Sequence, residues 1–196
     1  MRFEYAPGAT PIDLDEAKGL IPAHLTLQRE LNEYEESNIL EATAWLFARR
    51  RGDPLDEHFI HVVHGRMFNQ TWKWAGKSRR TDKNIGVSWF EIPVRLRQML
   101  GDVRAQIEHQ AYSPVEIAAR YHHRLVAIHV FPNGNGRHAR LMADLLLTEL
   151  AGHRFEWGRG SLVAANKLRA RYIAALQAAD AGDCQPLLVF LEISPA

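Results

Sequence analysis

From Thr26 onward, residues recur at spacings of three and four: Leu27, Leu31, Tyr34, Asn38, Glu41 or Ala42, and Trp45. This is the repeat of a helix with one side against a core, and it predicts a helix to about Arg50. Asp53 stands as a cap, and Pro54 at the first helical position, for a second helix over 54–69. The helical repeat then stops. Ile85, Val87 and Trp89 alternate around Asn84 and Gly86, which predicts a small β-hairpin near 78–92. A helix resumes at Pro93 and ends near Gln110. Ser113, Pro114 and Glu116 supply a cap, a first-turn proline and the acidic partner of a capping box. They open a helix that carries Ile117, Tyr121, Val126 and Ile128 and stops at His129. A further helix starts at about Gly136 and ends before Gly152, and two more fit 161–180 and 186–193. The first 25 residues hold Pro7, Pro11, Pro22, Gly8 and Gly19, and read as an irregular arm with at most a short helix at 13–18. The sum is an all-α domain, a bundle of about six to eight helices with one small β-hairpin.

Composition narrows the class. A chain of 196 residues with 46% hydrophobic and 24% charged positions is long enough for one domain with a real core, and ordinary for a soluble globular protein. A net charge of +1 gives no case for a general nucleic-acid or membrane-surface binder. The single cysteine, Cys184, excludes an internal disulfide and fits a reducing compartment. No apolar run approaches membrane-spanning length and the N-terminus lacks a signal-peptide core, so the expectation is a cytoplasmic protein.

The densest chemistry lies in HVFPNGNGRHAR, residues 129–140. Asn133, Gly134, Asn135 and Gly136 form a tight turn between two helices, where bare backbone lets a ligand come close. The turn feeds a helix N-terminus, whose N–H groups and dipole favour an anion such as phosphate. Arg137 and Arg140, three apart on that first turn, oppose the dipole and call for a partner anion. His129, at the end of the preceding helix, is the natural proton acceptor near neutral pH. A Gly-rich connector with solvated arginines would explain Gly134 and Gly136 alone. It does not explain the histidine, the aromatic Phe131 and both arginines together.

These residues resemble the signature of the Fic family, His-x-Phe-x-(Asp/Glu)-Gly-Asn-Gly-Arg-x-x-Arg. His129, Phe131, Gly134, Asn135, Gly136, Arg137 and Arg140 match it. The resemblance extends through WKWAGKSRR to the C-terminal helices, over about residues 26–193, and the whole chain is most similar to the bacterial subgroup called mobile mystery protein B. It implies an arm at 1–25 and a Fic domain at 26–196. Within that domain would lie an N-terminal inhibitory helix (about 26–50) and a core (about 54–193).

The resemblance also implies a reaction, transfer of AMP from ATP to a Ser, Thr or Tyr hydroxyl of a target protein. His129 would be the general base. Gly134, Asn135, Gly136 and Arg137 would cradle the phosphates, and Arg140 would hold the γ-phosphate. Asn84, Ile85, Gly86 and Val87 would dock the target on a flap. The implied partners are the nucleotide and a target protein, with no membrane and no nucleic acid. A homodimer is compatible with the family.

One departure concerns Mg²⁺ or Mn²⁺. The family's metal-binding Asp or Glu is Asn133 here, and an amide oxygen is a poorer ligand for a hard dication. Three readings stay open: weaker metal binding through Asn133, another phospho-transfer (deAMPylation included), or a catalytically weak partner-binding module. A second implied feature is a brake. Ser37 and Glu41 fit the first and fifth positions of the family's inhibitory pattern, with Ala42 departing at the sixth, so Glu41 would pair with Arg140 and deny it to the nucleotide.

Other candidates are weaker. His58, His61 and His64 drift around their helix and have no acidic or thiol partner, which disfavours a metal site. Tyr172 fits either the adenine side of the pocket or the core. The basic run at 77–83 reads as a solvated flap edge, and Trp72, Trp74 and Trp89 as anchors of the hairpin.

Overall fold

The structure, a computed structural model, describes residues 11–22, 24–25, 27–49, 52–157 and 165–192. These form eight α-helices: α1 (Leu14–Ala17), α2 (Gln28–Phe47), α3 (Glu57–Phe68), α4 (Ile92–Glu108), α5 (Pro114–Ile128), α6 (Asn135–Ala151), α7 (Ala165–Asp180) and α8 (Gln185–Glu192). The all-α expectation holds. Residues 1–10 of the expected arm, and the expected starts of the helices at 26 and 161, lie outside the described residues. No described helix is long and apolar enough to cross a membrane.

Local chemistry sets the helix ends. Ser113 accepts from the Glu116 N–H at 3.2 Å, the expected cap of α5. The start of α3 differs from expectation. Asp53 accepts from the Leu55 N–H at 2.8 Å and closes a turn, while Asp56 caps the helix by accepting from the Phe59 N–H at 2.7 Å. Gly134 and Gly152 bracket α6 in the left-handed region, at φ 78° and 77°.

The hairpin is not formed. Among the described residues the only β pairing is one antiparallel bridge, Leu20 to Trp72, and residues 78–88 run as a loop into a single 3₁₀ turn at Trp89–Glu91. The reason lies in what occupies the loop's backbone. The Arg79 side chain takes the Thr81 and Val87 carbonyls, and the Asp82 carboxylate takes the Trp89 N–H, so side chains fill the places of ladder bonds.

α5 and α6 pack against each other as the central pair, with α4 and α8 against α5 and α3 against α6. Ile60, Met67, Leu96, Met99, Phe131 and Met142 are buried between them. Burying such side chains stabilises the domain by roughly 1.5–3 kcal/mol each. The Tyr121 hydroxyl, fully buried in α5, donates to the Pro54 carbonyl at 2.7 Å, and burial pushes its pKa up. The short arm is held on this core: the Trp74 indole donates to the Glu16 carbonyl, and Lys83 pairs with Asp13 and Glu16 at 2.8 and 2.6 Å.

Candidate functional site

The connection between α5 and α6 is built around one histidine. His129 ends α5 at φ 57°, ψ 61°, a left-handed conformation that costs a non-glycine residue energy and turns the chain out of the helix. Val130 and Phe131 then plunge into the core. The Asn135 side chain closes the loop, accepting from the Phe131 N–H at 2.9 Å and donating to its carbonyl at 2.7 Å. His64 braces the same turn from α3. The Gly76 N–H donates to its Nδ1 at 3.0 Å, so Nε2 carries the proton and donates to the Asn133 carbonyl at 3.1 Å. Its ring stacks on Phe131 at 3.7 Å.

Close packing explains the first glycine. A Cβ on Gly134 would lie 2.5 Å from the Phe68 ring, at a φ that side chains rarely adopt. Gly136 is different: among the described residues a Cβ there would meet only the Tyr172 hydroxyl, at 3.9 Å, an ordinary contact distance. The first-turn N–H groups of a helix have no intrahelical acceptor, and they carry the positive end of its dipole.

The electrostatics favour a neutral base beside a cationic pocket. Burial, with the Arg79 cation next in weight, holds the His129 imidazole down to about 4. At neutral pH His129 is therefore an uncharged proton acceptor. Arg140 lies over the Tyr172 ring at 4.4 Å and the Trp157 ring at 5.6 Å, and its Nε is buried with no hydrogen-bond acceptor among the described residues. The Tyr172 hydroxyl in turn meets His122 Nε2 at 3.0 Å.

Residues 54–147 match the model of the Fic/DOC family. The chain carries a Fic/DOC domain. A protein adenylyltransferase of Caenorhabditis briggsae is 31% identical over 120 residues, which is 60% of this chain and 22% of that protein. One of Aedes aegypti is 35% identical over 80 residues, 41% of this chain and 15% of that protein. The chain thus spans about a fifth of the curated relatives it matches. Among solved structures, the BepC effector of Bartonella tribocorum with bound AMPPNP superposes at a TM-score of 0.67 with 20% identity, over 91% of this chain and 96% of that one. The FIC domain of Bep8 from Bartonella sp. 1-1C gives 0.68 with 19% identity, over 87% of each. These two likenesses establish the fold.

Within the Fic domain, the expected site residues separate into groups. Gly136, Arg137 and Arg140 lie in the first two turns of α6, and His129 begins the turn that leads into it. Asn135 is turned inward, 4% exposed, and braces the loop with its side chain. Asn133 is a poor metal ligand: its amide oxygen accepts from the Gly134 N–H at 2.6 Å. No cluster of three or more His, Cys, Asp or Glu side chains suited to a metal occurs among the described residues. Asn84, Ile85, Gly86 and Val87 form the loop that passes over His129, where a Cβ on Gly86 would meet the histidine Cβ at 2.5 Å.

The expected brake contact is not formed. Ser37 and Glu41 are exposed, and the Glu41 carboxylate accepts from the Gln70 side chain at 2.7 Å. The buried stripe of α2 is Leu31, Glu35, Asn38, Ala42 and Leu46, a neighbouring face to the one the apolar repeat suggested. The carboxylate that meets the motif is therefore Glu35, and it meets Arg137. It accepts from Arg137 Nη1 at 2.7 Å and from the buried Trp72 indole at 2.6 Å. Spacing could have found Glu35, which lies four after Leu31 and three before Asn38, but its charge masked it as a surface residue.

Three lesser expectations are also settled. His61 meets Ser78 and the Glu57 carbonyl, His64 holds the motif turn, and His58 is exposed, so the three do not converge on a metal. The basic run is a solvated edge only in part: Lys77 and Arg80 are exposed, whereas Arg79 is 2% exposed and the Lys83 side chain is buried against the arm. Trp72 and Trp74 stack at 5.0 Å and anchor the loop, whereas Trp89 is 45% exposed and does not.

Proposed function

We propose that this chain is a protein adenylyltransferase that moves AMP from ATP onto a side-chain hydroxyl of a target protein. The observation that carries the reading is His129, buried and uncharged at neutral pH, at the start of the turn that feeds α6, whose first two turns bear Arg137 and Arg140. His129 takes the proton from the target hydroxyl as that oxygen bonds to the α-phosphorus. The bond from the α-phosphorus to the pyrophosphate breaks, and pyrophosphate leaves with its electron pair. The α6 N-terminus, Arg137 and Arg140 hold the phosphates and offset the charge that moves onto the leaving group. The dication arrives with the nucleotide as part of the substrate. The names of the curated relatives support this reading, and so does the BepC fold with its bound ATP analogue. Membership of the bacterial mobile mystery protein B subgroup, and the division into arm and domain near residue 26, belong to the same proposal.

Asn133 favours a second reading. With a neutral, internally bonded oxygen where the family has a carboxylate, the site would hold nucleotide but transfer slowly, or would remove AMP instead.

The deciding experiment follows label from α-phosphate-labelled ATP, with Mg²⁺ or Mn²⁺, onto the protein and a bacterial lysate. Wild type is expected to transfer label and His129→Ala to lose it. Glu41→Gly is expected to match wild type, since Glu41 rests on Gln70. No label under either metal, but label with Asn133→Asp, would replace the first reading by the second.

A further inference from the structure

The loop over His129 and the histidine itself are held by one buried cation. The Arg79 guanidinium donates from Nε to the His129 carbonyl at 2.6 Å and from Nη1 to the Thr81 carbonyl at 2.8 Å. Nη2 donates to the Val87 carbonyl and reaches the Ile128 carbonyl at 3.5 Å. Two of these acceptors belong to the loop and two to the last residues of α5. Arg79 is 2% exposed, and the carboxylate it pairs with among the described residues, Asp82 at 3.6 Å, also lies in the loop. A buried guanidinium is costly unless its donors are met. Here backbone carbonyls meet them, so the arginine stays put only while both segments stay put. The backbone makes a parallel link, Arg79 N–H to the Val130 carbonyl at 3.0 Å.

We propose that Arg79 is a positioning residue that clamps the 80–88 loop to the backbone of His129, fixing the histidine's left-handed turn and the loop's height above it as one unit. Loop and base then cannot vary independently. A target segment lying along the loop is brought to a set distance from the proton acceptor. The geometry of Gly86 agrees, since the loop runs so close that a Cβ there would strike both His129 and Arg79 Nη2, at 2.5 and 2.9 Å. The role of His129 as base rests on the function proposed above, but the clamp itself does not.

The cations that face His129 are Arg79 and Lys83, and both lower its proton affinity after burial. Lys83 is itself paired with Asp13 and Glu16. The planar fork of Arg79 has no equivalent in lysine, so charge and clamp can be separated by substitution.

The test uses the full chain, labelled for NMR, with the His129 ring assigned by its loss in His129→Ala. Arg79→Met is expected to raise the histidine's midpoint from about 4 by about one unit toward the ordinary imidazole value. The residue 79 and Trp89 amides, bonded to Val130 and Asp82, should exchange at least roughly tenfold faster, while amides within α5 and α6 keep their protection. Arg79→Lys should keep the midpoint near wild type and still lose the amide protection. If Arg79→Met does not fold, Gly86→Ala lifts the loop with the arginine in place and should free the same two amides. A folded Arg79→Met that keeps wild-type exchange at both amides overturns the proposal, as does Gly86→Ala with both still protected. These readouts need no turnover, so a wild type that transfers no label sinks the proposed function and leaves the clamp to be judged on its own.

Discussion

Truncating Glu35 separates the two bonds its carboxylate makes. Glu35→Ala leaves the Trp72 indole N–H, on a residue 1% exposed, without its acceptor. An orphaned buried donor costs about 1–3 kcal/mol. The same change breaks the pair with Arg137, whose side chain is 40% exposed and can be rehydrated, so this part is worth at most about 1 kcal/mol. The expected total is about 1–4 kcal/mol. Glu35→Gln keeps an acceptor for the indole and loses only the charge, so it should cost about 1 kcal/mol. Urea unfolding followed by tryptophan fluorescence measures both, with the slope expected to stay at the wild-type value. A Glu35→Ala protein within about 0.5 kcal/mol of wild type would refute the buried-acceptor argument. Equal losses for Ala and Gln would show that the charge pair, not the indole, dominates.

Acid should destabilise the domain early. His64, His122, His129 and His138 are buried with their pKa values lowered chiefly by desolvation, the last three to about 3, 4 and 3 from an ordinary 6.5. In the unfolded chain each binds a proton near 6.5, so their contribution is full above that pH and is lost as pH falls toward the folded values. The loss reaches about 2 kcal/mol at pH 5 for each of His122, His129 and His138. A urea midpoint unchanged between pH 7 and pH 5 would contradict this. Gly134→Ala forces a Cβ against Phe68 at φ 78° and should cost about 2 kcal/mol or more, with nucleotide binding lost too. Thermal unfolding and a nucleotide titration check it, and a neutral substitution would mean the turn can relax.

Helix content was legible in the chain because the apolar repeat of a helix is local. Ser113 and Pro114 started α5 as expected, and Gly134 and Gly152 bracket α6. The motif from His129 to Arg140 was legible for the same reason, since its residues are neighbours in sequence. What failed depended on distant partners. The alternation at 85–89 looked like a hairpin, but a strand needs a neighbour's backbone, and here the Arg79 and Asp82 side chains occupy that backbone instead. The choice of carboxylate also failed. Glu41 fits a pattern along the chain, whereas Glu35 is selected by Trp72 and Arg137, 37 and 102 residues away. The burial of Arg79 was equally hidden, because a basic run shows no sign of which side chain will find carbonyls to satisfy it. The sequence by itself determined the helices, the turn and the chemical groups of the site. Tertiary structure alone decided which charges are buried and what they hold, because a charge leaves water only when the folded chain brings it partners.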